Sequence, residues 1–128
     1  MKEIPDFVVV GPVRPVKGGI AKHTEHFLLA LSEKWSCRVL SDSQPFPNWL
    51  YPADSQFSED PSVLLDSEVD IRRLPFRRLI RELVVSATAV SKPRVVLIWW
   101  TPALAHKFIS LTALLWLCRC NFVVLCHN

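Results

Sequence analysis

FVVVGPVRPVKGGI, residues 7–20, is the stretch that decides the fold. An apolar, β-branched run ends at Gly11, a short loop carries Pro12, Pro15, Gly18 and Gly19, and an amphipathic helical pattern starts at once. That order is a strand, a glycine loop and a helix N-terminus. Glycines let the backbone turn sharply and come close to a ligand, and the first free N–H groups of a helix favour an anionic or oxygen-rich group beside them. The spacing does not match the common nucleotide loops. There is no G-x-G-x-x-G, and Gly18-Gly19-Ile20 lacks the Lys-Ser/Thr pair of a P-loop. On spacing alone two readings stay open: a tight strand-to-helix turn, or a seat for a phosphate or a sugar.

Working outward, the chain alternates apolar runs with helical patterns. Strands are expected over residues 6–10, 37–41, 94–100 and 121–126, with a weaker one over 68–73 where Val69 and Ile71 alternate with charge. The strong strands are apolar throughout, the pattern of strands buried on both faces. The expected fold is therefore α/β: a Rossmann-like, mainly parallel sheet with helices on both faces. A first helix over 20–34 sets Ile20, Thr24, Phe27, Leu28, Leu31 and Trp35 along one stripe, with His23 at its edge and His26 toward water. Further helices fit 76–90 and 103–118. The third is apolar nearly all round, but Arg119 and Asn121 interrupt it short of the roughly 18–20 residues a membrane span requires; it reads as a buried helix or one shielding the sheet. Residues 42–67, with Pro45, Pro47, Pro52 and Pro61, read as a long irregular excursion of the kind that often carries binding loops.

With 128 residues the chain is one domain of ordinary size. A formal net charge of +3 gives no electrostatic footprint for a nucleic-acid partner. The charge is uneven: Asp54, Glu59, Asp60, Asp66, Glu68 and Asp70 are followed by Arg72, Arg73, Arg77, Arg78 and Arg81. The arginines fit a solvated helix face paired with those acids, or a peripheral contact with a membrane surface. The opening hexapeptide is polar and no secretory signal follows it. Cys37, Cys118, Cys120 and Cys126 sit in apolar strand or helix contexts, the usage of free core thiols in a reducing compartment. A cytoplasmic location is expected, with membrane association at the inner face. A zinc site from Cys118, Cys120, Cys126 and His127 is disfavoured because no C-x-x-C pair exists and Cys126 and His127 alternate across a strand. No metal is expected.

In an open parallel sheet, ligands bind outside the carboxyl ends of the strands. Those ends here are Gly11, Ser41-Asp42, Trp100-Thr101 and His127-Asn128. The Gly18-Gly19 turn, the pair Trp99-Trp100, His106 and His127 are thereby expected along one wall of a cleft. Trp100 has the flat apolar face that suits a sugar ring, and an equally good claim to a place in the core.

GPVRPVKGGIAKHTEHFLLAL resembles the opening of family-4 glycosyltransferases of the GT-B fold, whose first strand runs through a Pro-containing loop and a Gly-Gly-Ile or Gly-Gly-Val turn into a helix with His-Thr near its start. His23-Thr24 holds that place here. NFVVLCHN, residues 121–128, resembles the later strand that delivers a histidine to the cleft, and PRVVLIWWT, residues 93–101, resembles the central strand, with Arg94 where an acidic residue is common. The resemblance implies a retaining transfer of a sugar from a nucleotide-sugar donor to a saccharide or lipid-linked acceptor, with no required metal and no further cofactor. It implies that Gly18 and Gly19 approach the donor diphosphate or the acceptor, with Trp100, Thr101 and His106 on the same wall, and that His127 is the catalytic histidine, positioning the acceptor or bonding the transferred sugar. A GT-B enzyme has two such domains. The chain is thus expected to be the N-terminal, acceptor-side domain, incomplete after its last strand, lacking the nucleotide-binding half, and inactive alone. A redox Rossmann domain would need a tighter glycine fingerprint, although Asp42 stands where its acidic residue would be. A non-catalytic fragment or membrane-peripheral module, using the arginines and the third helix, is the other alternative.

Overall fold

A computed structural model describes residues 5–13, 19–42, 67–89, 92–99 and 105–126. Within them the elements are β1 (Phe7–Val10), α1 (Gly19–Ser32), β2 (Cys37–Asp42), β3 (Asp70–Leu74), α2 (Phe76–Ala87), β4 (Arg94–Trp99), α3 (Ala105–Leu117) and β5 (Phe122–Cys126). The strands form one sheet in the order β3-β2-β1-β4-β5, with every pairing parallel. The α/β, Rossmann-like architecture expected from the apolar runs is therefore present, with helices on both faces.

The two faces follow from strand alternation and crossover hand. From β1 through α1 the chain moves one way to β2, and from β4 through α3 it moves the other way to β5. A right-handed crossover then sets α1 and α3 on opposite faces. Val9, Val39, Val96 and Ile98 pack with Leu28 of α1. Val8, Val10, Leu40, Val95 and Leu97 pack with Leu79 and Leu83 of α2 and Leu111 and Leu115 of α3. Central strands β1 and β4 are buried on both sides, which is why their sequences carry no polar alternation.

Ends of elements differ from expectation for local reasons. The first helix closes at Ser32 because the N–H groups of Lys34 and Trp35 both donate to the Leu31 carbonyl, at 3.3 and 3.1 Å. Trp35 thereby leaves the helical stripe and meets the Phe7 ring edge-on, 5.7 Å between centroids. Strand β3 starts at Asp70, later than the expected start at Glu68, where its carboxylate accepts from Arg38 of β2 at 2.9 Å. Arg72 bonds the same carboxylate and Glu82 of α2, at 3.3 and 2.8 Å. These charges also blunt an edge strand that would otherwise offer its backbone to another chain. The arginines are thus divided: Arg72 is paired as expected, whereas Arg77, Arg78 and Arg81 are exposed and form no ion pair with a described residue.

Helix α3 ends in a reverse-turn cap made without glycine. Arg119 has φ 56°, its N–H donates to Trp116 O at 3.1 Å, and Cys120 N–H donates to Leu115 O at 3.1 Å. This is the Schellman pattern, completed by Cys120 and Leu115 sharing the core. A side chain in the left-handed region is strained, so Arg119→Gly is expected to raise stability by about 0.5–1 kcal/mol after the added chain entropy of glycine. Equilibrium urea unfolding measures it.

Cys37 opens β2 in the core, where burial and then the nearby Asp6 carboxylate push its thiol up to about 11. An unfolded chain ionises the same thiol near its ordinary value of 9.0. The folded state therefore holds this proton more tightly, so the associated stability is full below the unfolded value and is lost as pH rises toward 11. The loss across that window is expected to reach about 2–3 kcal/mol, and Cys37→Ala should flatten it in urea titrations run at successive pH values.

Candidate functional site

Because all five strands run the same way, Val10, Asp42, Leu74, Trp99 and Cys126 end at one edge of the sheet. The order reverses between β1 and β4, from which the chain departs in opposite directions. That topological switch point is where open α/β sheets leave a crevice for a ligand. Its β1 side is formed by Gly11, Pro12 and Val13, with the first turn of α1.

Gly11 shows why this exit is narrow. Its N–H donates to Leu40 O of β2 at 3.2 Å, and a Cβ built on it would lie 3.1 Å from the Ile98 Cβ of β4. Hydrogen in place of a side chain lets β1 leave the sheet tight against β4. Pro12 and Val13 continue buried. Gly19 is the first residue of α1, whose first turn holds no acidic residue to compensate its free N–H groups. The helix starts at this edge of the sheet.

Of the residues expected on this wall, Gly19 opens α1 at the edge, and His106 stands in the first turn of α3 with its side chain exposed. Gly18, Trp100, Thr101 and His127 lie outside the described residues, as does nearly all of the proline-rich excursion. His23 and His26 are both exposed on α1.

The structure brings other groups to the same edge. Lys107, next to His106, points inward and donates to Asp42 Oδ2 at 2.6 Å, while its ammonium lies 5.0 Å from the centre of the Phe76 ring. The Lys107 and Asp42 side chains are only 19% and 13% exposed, so this is a largely desolvated pair joining the ends of β2, α2 and α3. Charge-assisted bonds of this kind contribute more than surface pairs, about 1.5–3 kcal/mol. Asp42 was legible as the acid ending the second strand; Lys107 carried no signal, because its partner is 65 residues away in sequence.

Three polar groups are wholly buried near the α1 side. Thr24 and Glu25 face inward from α1, and both have bonding partners. Ala21, Glu25 and Leu28 keep the i, i+4, i+7 spacing of a buried stripe, the signal by which Glu25 is recognisable as an inward residue. Ser41, one residue before the end of β2, is fully buried and its Oγ has no hydrogen-bond partner. It alternates with Val39 onto the α1 face, one step beyond the Val10–Leu40 pairing and so level with the start of the glycine-containing loop. An unmet buried hydroxyl costs about 1–3 kcal/mol, a cost that a bonding group arriving at this edge would offset.

Fold and edge together define an α/β protein of the Rossmann-like class whose topological switch point lies between β1 and β4. Comparison with protein-family models, with curated proteins and with solved structures returned no significant match.

Proposed function

We propose that this chain is the acceptor-side domain of a family-4-like GT-B glycosyltransferase, an enzyme that moves a sugar from a nucleotide-sugar donor to a saccharide or lipid-linked acceptor with retention of configuration. The observation that carries the reading is the coincidence of the GPVRPVKGGI wording with the switch point: the loop follows β1, and α1 starts at Gly19 beside the β1–β4 crevice. Backbone N–H groups at that helix start suit phosphate or sugar oxygens, and the resemblance gives Gly18 and Gly19 that task. In this reading Trp100, Thr101 and His106 line the acceptor side, and His127, directly after β5, positions the acceptor and stabilises the charge of an oxocarbenium-like state. The donor nucleotide is held by a second domain, and the reaction needs no metal and no cofactor besides the nucleotide sugar.

The redox alternative is less well supported. Its glycine fingerprint is absent, and the Asp42 carboxylate that would receive a ribose hydroxyl already accepts from Lys107.

An enzyme carrying this chain, supplied with a panel of nucleotide sugars and saccharide or lipid-linked acceptors, should transfer sugar with the anomeric configuration of the donor preserved, read by NMR of the product. Inverted product, or no transfer across the panel, contradicts the proposal.

A further inference from the structure

Helices α2 and α3 cover the same face of the sheet and pack against each other, so their outward sides make one surface. That surface has an unusual composition. On α3 the outward side carries Ile109, Ala113, Trp116 and Leu117 at i, i+4, i+7 and i+8, with Ile109 64%, Trp116 72% and Leu117 73% exposed. Only His106 and Ser110 are polar among the exposed residues of that helix, and none is charged. On α2 the outward side carries Arg77, Arg81 and the exposed Val85 at i, i+4 and i+8, with exposed Arg78 beside them.

Among the described residues these groups have no internal task. The three arginines make no ion pair with a described residue, and Arg77 and Arg78 occupy the first turn of α2, where a cation opposes the helix dipole and no acidic residue offsets it. Large apolar side chains on an outward helix face are equally unfavourable in water. A surface that joins exposed arginines to an uncharged stripe with tryptophan at its end matches one environment in both respects: anionic headgroups against the cations, and the headgroup–acyl boundary against the apolar stripe.

We infer that the outer face of α2 and α3 docks the protein onto an anionic lipid bilayer, with Ile109, Trp116 and Leu117 entering the interface and Arg77, Arg78 and Arg81 contacting lipid phosphates. Among the described residues no helix is long and apolar enough to cross a membrane. Helix α3, at 13 residues, extends about 20 Å and lies in the plane of the interface. This inference is independent of the chemistry proposed at the strand ends.

The full chain is sedimented with vesicles of phosphatidylcholine alone and of phosphatidylcholine with phosphatidylglycerol. Binding is expected to the phosphatidylglycerol vesicles, to weaken with salt, and to weaken about 100-fold in the triple variant R77Q/R78Q/R81Q. W116S/L117S should lose binding, and a fluorescence blue shift present in the wild type should vanish in W116F. All these positions are exposed, and circular dichroism checks that each variant keeps the fold. Three results would overturn the inference: no sedimentation with anionic vesicles, equal binding to both vesicle types, or a dimer in light scattering that W116S/L117S dissociates while vesicle binding stays absent.

Discussion

Truncating Leu97 to alanine is expected to cost the fold about 2–5 kcal/mol. Leu97 is fully buried in β4, paired between Val10 of β1 and Val124 of β5, in the cluster that receives Leu79 and Leu83 from α2 and Leu111 and Leu115 from α3. Its removal leaves a cavity that three strands and two helices cannot all close upon, so the lost transfer energy and the cavity add. Since a domain of this size is stable by only about 5–15 kcal/mol, the variant should unfold at a visibly lower urea concentration. Trp116→Ser, by contrast, should shift the same curve by less than about 0.5 kcal/mol, because Trp116 is exposed and supports no core. A Leu97→Ala cost as small as that of Trp116→Ser would mean that β4 is not an interior strand of the sheet.

Changing His127 to alanine in an enzyme carrying this chain is expected to lower turnover by about 10²–10³-fold while leaving donor affinity within a few-fold of the parent. The proposed role is met in the transition state, where positive charge develops on the sugar, and the donor nucleotide is gripped elsewhere. A group that acts only there lowers kcat and kcat/KM together and leaves ground-state binding alone. Steady-state kinetics beside a donor titration separate the two quantities. Near-parental turnover would return His127 to a structural role.

Legibility in the sequence followed the range of the interactions. The apolar runs at residues 7–10 and 94–99 announce strands buried on both faces, since that pattern is local, and the glycine-containing loop announces its own place between β1 and α1. Strand order was not legible: the β1–β4 pairing sets Phe7 against Arg94 through tertiary contact alone. The Lys107–Asp42 pair escaped for the same reason. Helix α3 shows a different limit. A helix apolar nearly all round gives no preferred direction, so the sequence suggested either a buried helix or one shielding the sheet, and packing decided which side met the core. Leu111 and Leu115 went inward, and Trp116 and Leu117 were left in solvent. The end of α3 was found within a residue although its cap uses Arg119 in place of glycine, because the apolar pattern stops there. Within the candidate site, Gly19 and the strand ends were readable from pattern, whereas the buried Ser41 hydroxyl has meaning only once its missing partner is seen.

The central claim is that the ligand sits at the carboxyl edge, in the β1–β4 crevice. Backbone amide chemical shifts of the isotopically labelled chain, followed while nucleotide sugars and saccharide acceptors are titrated in, test it most directly. Weak, saturable shifts are expected at Gly11, Val13, Gly19, Ala21 and Lys107, with Asp6, Ser36 and Cys120 at the opposite edge unmoved. Shifts concentrated at the opposite edge, or no shift with any ligand of these classes, would contradict it.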